Sequence, residues 1–429
     1  MPERKRGREG AGGASAGPVL IAGGGIGGLA LALTLHEIGV PCTVLEAARE
    51  LRPLGVGINL QPNAVRELEE MGLPPARLAA IGAPIREWVL MDRAGRELHA
   101  EPRGPLAGHR WPQVAVHRGA LQMLLAETVR ARLGAGAIRT EARVTGFEPA
   151  GAGVRARLAS GEVLEGSLLI GADGIHSAVR AQMHPRQPPI RWGGMLMWRG
   201  VTRRPPIRGG AAFVGLGGSR QRMVLYPISA PDGDGMQRIN WIVERTVPRS
   251  GRERWFERVP PDAPLAHFAD WRLGWLDAPA LISGAEAVWE NPMIDRDPAP
   301  FWVAGRVALL GDAAHAMYPT GSNGASQAIV DARVLGAALA EHGVGEAALR
   351  AYEARLHGPV SALVLRNRGS GPFGLLEAIE RDGPMAPEAR AAFMAGYAKA
   401  AGLEAERLNA APRTVPLGAR AFSGHAAGS

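Results

Sequence analysis

Five glycines lie close together between positions 23 and 28 and could cradle a phosphate group. An apolar run, 19–22, precedes them, and a longer apolar stretch, 29–38, follows. A glycine turn between a strand and a helix lets a pyrophosphate approach the backbone at the helix N-terminus. The G-x-G-x-x-G spacing therefore predicts a dinucleotide site. Its residues are Gly23, Gly25, Ile26, Gly27 and Gly28.

An acid follows at the distance that such a site requires. Glu46 lies 18 residues after Gly28, at the end of a second apolar run, 43–45. A carboxylate there can hold a ribose hydroxyl of the nucleotide. Basic residues before the glycines would also suit a signal peptide or a membrane span. The glycines argue against both, because a span needs about 20 mostly apolar residues. The motif leaves NAD and FAD equally open.

Two aspartates follow other predicted strands. Asp173 stands in a D-G pair after the predicted strand 167–170, and Asp312 stands in a G-D pair after the predicted strand 306–310. Ligands of open α/β sheets lie outside the carboxyl ends of the strands. Gly324 and Ala325 then begin a predicted helix, whose free N–H groups would stabilise negative charge. The aspartates could instead be helix caps, but three such turns favour one extended ligand.

The predicted strands and helices around these residues indicate an α/β fold. With the inserted sheet, the whole chain is α+β. We expect a Rossmann-like dinucleotide-binding domain, an inserted and largely antiparallel sheet for the substrate, and a C-terminal helical segment with a loose end. A flexible basic tail precedes them. The predicted boundaries are 1–17 for the tail, 18–83, 106–184 and 293–368 for the nucleotide domain, 84–105 and 185–292 for the sheet, and 369–429 for the C-terminal segment.

Composition narrows the class of protein. The chain has 429 residues, 46% of them hydrophobic, and a formal charge of +8 without any block of five consecutive basic residues. We expect a soluble cytoplasmic enzyme that binds neither nucleic acid nor membrane. Cys42 is the only cysteine, so an internal disulfide is excluded and a cysteine-based metal site is not expected. The sequence predicts no metal.

The order of glycine fingerprint, D-G motif and G-D motif resembles the group A flavoprotein monooxygenases, the family of para-hydroxybenzoate and salicylate hydroxylases. The resemblance covers roughly 18–368. It is strongest to the branch of that family that modifies phenazine carboxylates in the pyocyanin pathway. The stretches that carry it are RPLGVGIN (52–59), HRG (117–119), MWRGVT (197–202), YPIS (226–229), FADW (268–271) and DRDP (295–298).

This resemblance implies that the dinucleotide is a tightly but non-covalently bound FAD. Glu46 would bind the adenosine ribose, Arg118 would lie near the phosphates, and Asp312 would hold the ribityl–pyrophosphate region. Gly324 and Ala325 would offer N–H groups to the flavin pyrimidine ring. The cofactor set is completed by Gly57 and by Asp173, whose motif also includes Arg180 and is linked in the family to both FAD and NAD(P)H.

The resemblance also implies a reaction. NAD(P)H would bind transiently, since no second nucleotide fold is predicted, and would reduce FAD. Oxygen would then form a C4a-hydroperoxyflavin that hydroxylates an aromatic ring. We expect a heteroaromatic carboxylate, hydroxylated ortho or at the carboxyl-bearing carbon, in secondary metabolism or aromatic catabolism. Alternation along the predicted strand 221–228 puts Arg222 and Tyr226 on one face, towards the substrate. Pro319 is a further substrate-facing candidate.

Three other functions compete with hydroxylation. A flavin-dependent halogenase would carry W-x-W-x-I-P, whereas Trp271 and Trp275 are four residues apart and lack that pattern. A Baeyer–Villiger enzyme on the same fold, or a flavin-bound protein that senses or sequesters aromatics, stays open. His315, near Asp312, is expected to be structural. The protein is expected to be a monomer or a homodimer.

Overall fold

The computed structural model describes residues 17–248, 256–369 and 371–421. The basic tail predicted at 1–17 therefore lies, except for Gly17, outside the described residues.

The strands are β1 Val19–Ala22, β2 Cys42–Leu45, β3 Gly57–Leu60, β4 Gly82–Ile85, β5 Glu87–Met91, β6 Glu97–Pro102, β7 Gln113–His117, β8 Ile138–Arg139, β9 Val144–Ala150, β10 Gly153–Leu158, β11 Val163–Gly166, β12 Leu168–Gly171, β13 Arg191–Arg204, β14 Ala212–Gly217, β15 Gln221–Pro227, β16 Gln237–Thr246, β17 Glu257–Val259, β18 Arg272–Leu273, β19 Leu276–Asp277, β20 Val288–Asp295, β21 Val303–Ala304 and β22 Val307–Leu309. The helices are α1 Ile26–Glu37, α2 Pro62–Glu70, α3 Pro75–Ala79, α4 Arg118–Leu133, α5 Ala178–Met183, α6 Asp262–Phe268, α7 Ala278–Ser283, α8 Asp312–His315, α9 Gly324–His342, α10 Glu346–Arg368, α11 Gly374–Asp382, α12 Pro387–Ala400 and α13 Ala405–Ala410.

A six-stranded sheet carries the three turns. Its order is β21-β22-β12-β1-β2-β8, and β1 pairs in parallel with both β12 and β2. Every residue of β1 is buried, as a strand covered on both faces requires. Because β1, β2, β12 and β22 run in the same direction, their carboxyl ends meet at one edge. The glycine turn, Glu46 and the two aspartate turns therefore share that edge.

A second sheet of eight strands has the order β17-β20-β13-β16-β15-β14-β5-β6. Its pairings are antiparallel except for β5, which pairs in parallel with β14. The largely antiparallel sheet predicted from the sequence is confirmed by β13 to β16, and β5 and β6 form a hairpin around 92–95. The sheet therefore takes strands from two separate parts of the chain.

The C-terminal segment differs from its prediction. The predicted C-terminal helical segment is present, as helices α11, α12 and α13. The chain then returns to α1 and α2, where Thr414 Oγ1 donates to Glu67 Oε1 over 2.6 Å and Val415 is fully buried. The expected loose end is thus wrong for 411–421, because these residues are anchored, and 422–429 lie outside the described residues.

No helix in the described ranges is long and apolar enough to cross a membrane.

Candidate cofactor and substrate site

One cavity of about 320 Å³ lies where the six-stranded sheet meets the eight-stranded sheet. Ten of the residues predicted from the sequence line it: Gly25, Ile26, Gly27, Gly57, Arg118, Tyr226, Asp312, Pro319, Gly324 and Ala325. Five others lie outside its lining: Gly23, Gly28, Glu46, Asp173 and Arg222. The volume is in the range of small-molecule sites in proteins.

The glycine turn explains why these positions lack side chains. Gly23 has a φ of +109°, which favours glycine, and a Cβ there would collide with the backbone of Ala172. A Cβ on Gly28 would collide with the carbonyl of Gly23, so α1 starts very close to β1. Gly25 differs, since a Cβ there would meet no atom within 4 Å. Gly23 and Gly28 shape the turn, and Gly25 leaves room for a ligand.

Glu46 fastens the same turn. Its Oε2 accepts a hydrogen bond from the N–H of Gly24 at 2.8 Å, and its Oε1 accepts one from Ala48 at 2.7 Å. The sequence did not predict the contact with Gly24, because nothing in the motif assigns the acid to the protein's own backbone. The carboxylate therefore orders the turn.

The two carboxylate oxygens of Asp173 differ in their hydrogen bonding. Its Oδ2 accepts from the N–H of Ala178, the first residue of α5, at 2.8 Å. Its Oδ1 is buried and has no hydrogen-bond partner among the described residues. Burial raises the pKa of this carboxyl above its ordinary value, although the neighbouring N–H groups and Ser177 oppose the shift. One oxygen thus caps a helix, and the other is left to accept a further hydrogen bond.

The G-D turn is braced by a residue that the motifs did not reveal. Asp331 of α9 is fully buried, and its Oδ2 accepts from the N–H of Gly311 at 3.0 Å and contacts His315 Nε2 at 2.5 Å. His315 is buried and does not line the cavity, so it belongs to the scaffold of the turn. Asp312, next to Gly311, is thereby held against the cavity.

The beginning of α9 supplies N–H groups. Gly324 and Ala325 line the cavity, and the N-cap residue Asn323 makes no side-chain cap. Instead, Asn323 Nδ2 donates to Tyr397 Oη at 2.6 Å, and Tyr397 donates to Asn367 Oδ1 at 2.9 Å. The first N–H groups of a helix have no partner within the helix, and here they face the cavity.

Arg118 provides a positive charge to the lining of the cavity. Arg118 begins α4, is exposed, and lines the cavity with a guanidinium that has no hydrogen-bond partner among the described residues. Its electrostatic partners include the carboxylates of Asp312 and Glu46. An arginine in this state can donate to a phosphate without breaking a bond within the protein.

Aromatic rings from the eight-stranded sheet form the opposite end. Tyr226 donates to the carbonyl of Gly57 at 2.8 Å, and its ring stacks on Phe213 with centroids 5.0 Å apart and planes inclined by 7°. Arg199 Nη2 donates to the same carbonyl at 3.0 Å. Burial raises the pKa of Tyr226 to about 12, so its phenol is a neutral donor. The sequence singled out Tyr226 alone from this group.

Arg222 lies on the same face of β15 as Tyr226, as the alternation predicts, but outside the cavity lining. Its Nε donates to Glu244 Oε2 at 2.6 Å, and its guanidinium stands 5.0 Å from the ring centre of Phe373. Glu244 does line the cavity. Arg222 is therefore the buried partner of a cavity carboxylate.

No group of three or more His, Cys, Asp or Glu side chains within the described ranges could hold a metal ion.

Comparison with known proteins identifies the family. Residues 17–251 and 290–367 match the family described as FAD binding domain. The chain is 44% identical to a phenazine 1,6-dicarboxylic acid hydroxylase, PhzS, of Lysobacter antibioticus, over 82% of this chain and 89% of that protein. It is 35% identical to the aurachin C monooxygenase/isomerase of Stigmatella aurantiaca, over 78% and 84%.

A solved structure agrees with these relatives. Klebsiella pneumoniae HpxO, crystallised with FAD and uric acid, is 27% identical and has a TM-score of 0.72, over 92% of this chain and 95% of that one. The chemistry of the cavity suits FAD, because the open space at Gly25, the guanidinium of Arg118 and the free N–H groups at the start of α9 match its phosphates and its pyrimidine ring. The chain belongs to the FAD-dependent monooxygenases that hydroxylate aromatic compounds.

Proposed function

We propose that this enzyme hydroxylates a heteroaromatic or polycyclic carboxylate, either ortho to the carboxyl group or at the carbon that bears it. The observation that carries the proposal is the continuous cavity, which runs from the cofactor-binding turns to the stacked rings of Phe213 and Tyr226. Relatives whose names include a phenazine dicarboxylic acid hydroxylase and an aminohydroxybenzoate monooxygenase support this substrate class.

When bound, FAD accepts a hydride from NAD(P)H and passes one oxygen atom of O2 to the ring as OH, while the other leaves as water. Hydroxylation replaces a ring hydrogen and consumes one NAD(P)H, one O2 and one proton. The decarboxylative version replaces the carboxylate, releases CO2 and consumes one more proton. In both versions the chain's own task is to bind, orient and exclude water.

Roles for the cofactor residues follow from their chemistry. We propose that Arg118, with the turn at Gly25, binds the pyrophosphate, and that Asp312 holds the ribityl–pyrophosphate region. The N–H groups of Gly324 and Ala325 would stabilise negative charge on the pyrimidine ring. Further cofactor contacts are proposed for Gly23, Ile26, Gly27, Gly28, Glu46, Gly57 and Asp173. The segments 18–83, 106–184 and 293–368 would form the FAD-binding domain, with 84–105 and 185–292 as the substrate domain.

Substrate orientation is assigned to the sheet. We propose that a flat ring system lies against Phe213 and Tyr226, with Pro319 beside it. Arg199 is the candidate for the substrate carboxylate, because it lines the cavity and its buried Nε has no hydrogen-bond partner among the described residues. Glu244, held by Arg222, would accept a hydrogen bond from a ring hydroxyl or N–H. This assigns the anion to Arg199 and gives Arg222 an indirect role.

The test is NAD(P)H oxidation by the holoenzyme over a panel of benzoate, quinoline and phenazine carboxylates, under labelled O2. We expect at least one aromatic compound to accelerate NAD(P)H oxidation and to gain one labelled oxygen atom. The NMR spectrum of the product should show a ring carbon that bears a hydroxyl group. Ring expansion would indicate a Baeyer–Villiger enzyme. Binding without acceleration, across the whole panel, would indicate a sequestering protein and would refute the proposal.

We further propose that the protein acts in the cytoplasm, where NAD(P)H is supplied, that it binds no nucleic acid, and that it is a monomer or a homodimer. Size-exclusion chromatography of the holoenzyme with light-scattering detection measures the oligomeric state directly.

A further inference from the structure

One wall of the cavity comes from beyond the part of the chain that matches the family. The match ends at residue 367, whereas Phe373, in the 3-10 turn Gly371–Phe373, lines the cavity and is 4% exposed. No motif points to this residue. Its position is set by tertiary packing alone.

The eight-stranded sheet has space shaped for this ring. A Cβ on Gly215 of β14 would collide with Cε1 of Phe373, so a side chain at that position would displace the ring. Trp88 of β5 stands with its centroid 6.1 Å away at an inclination of 59°. Arg222 covers Phe373 from β15 at 5.0 Å. Three neighbouring strands therefore fix one orientation of the ring.

These contacts also locate Phe373 along the cavity. Tyr226 and Arg222 are four residues apart on β15, a distance of about 13 Å at ~3.3 Å per residue. Tyr226 stacks with Phe213 over one part of the cavity, whereas Phe373 packs on Arg222, towards the other end of the strand. Phe373 thus stands between the stacked rings and the guanidinium of Arg222. A flat substrate that extends along the strand from Tyr226 meets this ring.

We propose that Phe373 is a specificity-determining residue that forms the end wall of the substrate slot and limits how far a substrate, including its ring substituents, can extend along that slot. This rests on the proposed function for the identity of the ligand class. The wall also separates the ligand from the guanidinium of Arg222, whose buried Nη1 makes no hydrogen bond among the described residues and lies 3.9 Å from Glu377 Oε1. Removing the ring would lengthen the slot and open it towards that nitrogen.

The test measures binding to the full-length oxidised holoenzyme, through the change in flavin absorbance, so that no turnover is needed. The probes are benzoate, phenazine-1-carboxylate and phenazine-1,6-dicarboxylate. For Phe373→Ala we expect the affinity ratio of the dicarboxylate to the monocarboxylate to rise at least tenfold. Benzoate, too short to reach the wall, should change less than threefold.

Phe393→Ala is the matched control, since Phe393 belongs to the same segment and packs against the same core without lining the cavity. Its ratio should stay within twofold of wild type. If Phe373→Ala fails to fold, Phe373→Leu keeps most of the apolar volume and should shift the ratio about threefold in the same direction. An unchanged ratio in a folded Phe373 variant, or an equal shift in the control, overturns the proposal. An enzyme that binds these probes without hydroxylating them would contradict the proposed function alone.

Discussion

Tyr226 donates a hydrogen bond of 2.8 Å to the carbonyl of Gly57, which fastens the eight-stranded sheet to β3 at the cavity. The N–H of Gly57 donates to Asn240 Oδ1 at 2.7 Å, and Arg199 donates to the same carbonyl. A Cβ on Gly57 would lie 2.7 Å from Asn240, so only glycine fits between these side chains. Both polar groups of one backbone residue thus connect the cofactor side to the substrate side.

Tyr226→Phe should keep the fold and weaken this connection. We expect a loss of about 0.5–1.5 kcal/mol in the free energy of unfolding, and an increase in KM for the aromatic substrate with more NAD(P)H oxidised without product. Tyr352→Phe is the matched control, because Tyr352 is also buried and donates to the backbone carbonyl of Leu309, and neither residue lines the cavity. It should lose similar stability with KM unchanged. Equal effects of both variants on KM would contradict the role assigned to Tyr226.

Two glycine variants should separate cofactor binding from folding. A methyl group on Gly25 meets open space, so Gly25→Ala should fold and bind FAD at least tenfold more weakly. Gly28→Ala places the methyl group against the carbonyl of Gly23 and should lower the yield of folded protein. Thermal unfolding of the apoprotein and FAD titration measure the two effects. A Gly25→Ala variant with wild-type FAD affinity would refute the assignment of this turn.

His315 should make stability depend on pH. Burial alone would lower its pKa, but the carboxylate of Asp331 outweighs burial, and the pKa lies above the ordinary 6.5. A raised histidine pKa stabilises the fold fully below pH 6.5, and this contribution is lost as pH rises through the folded-state pKa. Wild type should therefore exceed His315→Gln by about 1.5–3 kcal/mol at pH 6, with a smaller difference at pH 9.

Urea unfolding at several pH values measures that difference. His342→Gln, which alters a more exposed histidine at the end of α9, the helix that carries Asp331, is the control and should follow wild type throughout. A gap between wild type and His315→Gln that stays constant with pH would show that the pair is not charged at pH 6.

Arg333 should carry a large share of the stability where α9 meets α1 and α2. It is fully buried among the carboxylates of Glu37, Glu67 and Glu70. Arg333→Met removes the cation that the three carboxylates share, while Arg66 stays beside Glu70 and Arg413 beside Glu37. We expect a loss of about 3–5 kcal/mol in the free energy of unfolding. Arg272→Met removes an exposed pair with Asp277 and should cost about 0–1 kcal/mol. Similar losses in the two variants would contradict this.

Local patterns predicted much of this molecule. The glycine turn and the strand that precedes it depend on neighbouring residues, and both appear as expected. Alternation along β15 correctly put Arg222 and Tyr226 on one face. Alternation does not show how far along a strand a cavity extends. It therefore did not predict that Arg222 lies outside the cavity lining.

Residues placed by long-range packing escaped prediction. Asp331 lies in the middle of a helix, 16 residues after His315, and only the turn of the chain between them brings the two together. Phe373 and Tyr397 belong to a segment without any motif, and each meets the site only after that segment has folded back. Their signals in the sequence are those of ordinary core aromatics.

The parallel pairing of β5 with β14 and of β12 with β22 has a consequence for how the protein is made. Residue 87 finds its partner only at residue 212, and residue 169 finds its partner at residue 307. At ~5–20 residues per second, the apolar edge of β12 stays uncovered for roughly ten seconds or more of synthesis. Such an exposed edge recruits other chains. The eight-stranded sheet therefore stays incomplete until β20, which ends at Asp295, has been made, and the six-stranded sheet until β22, which ends at Leu309.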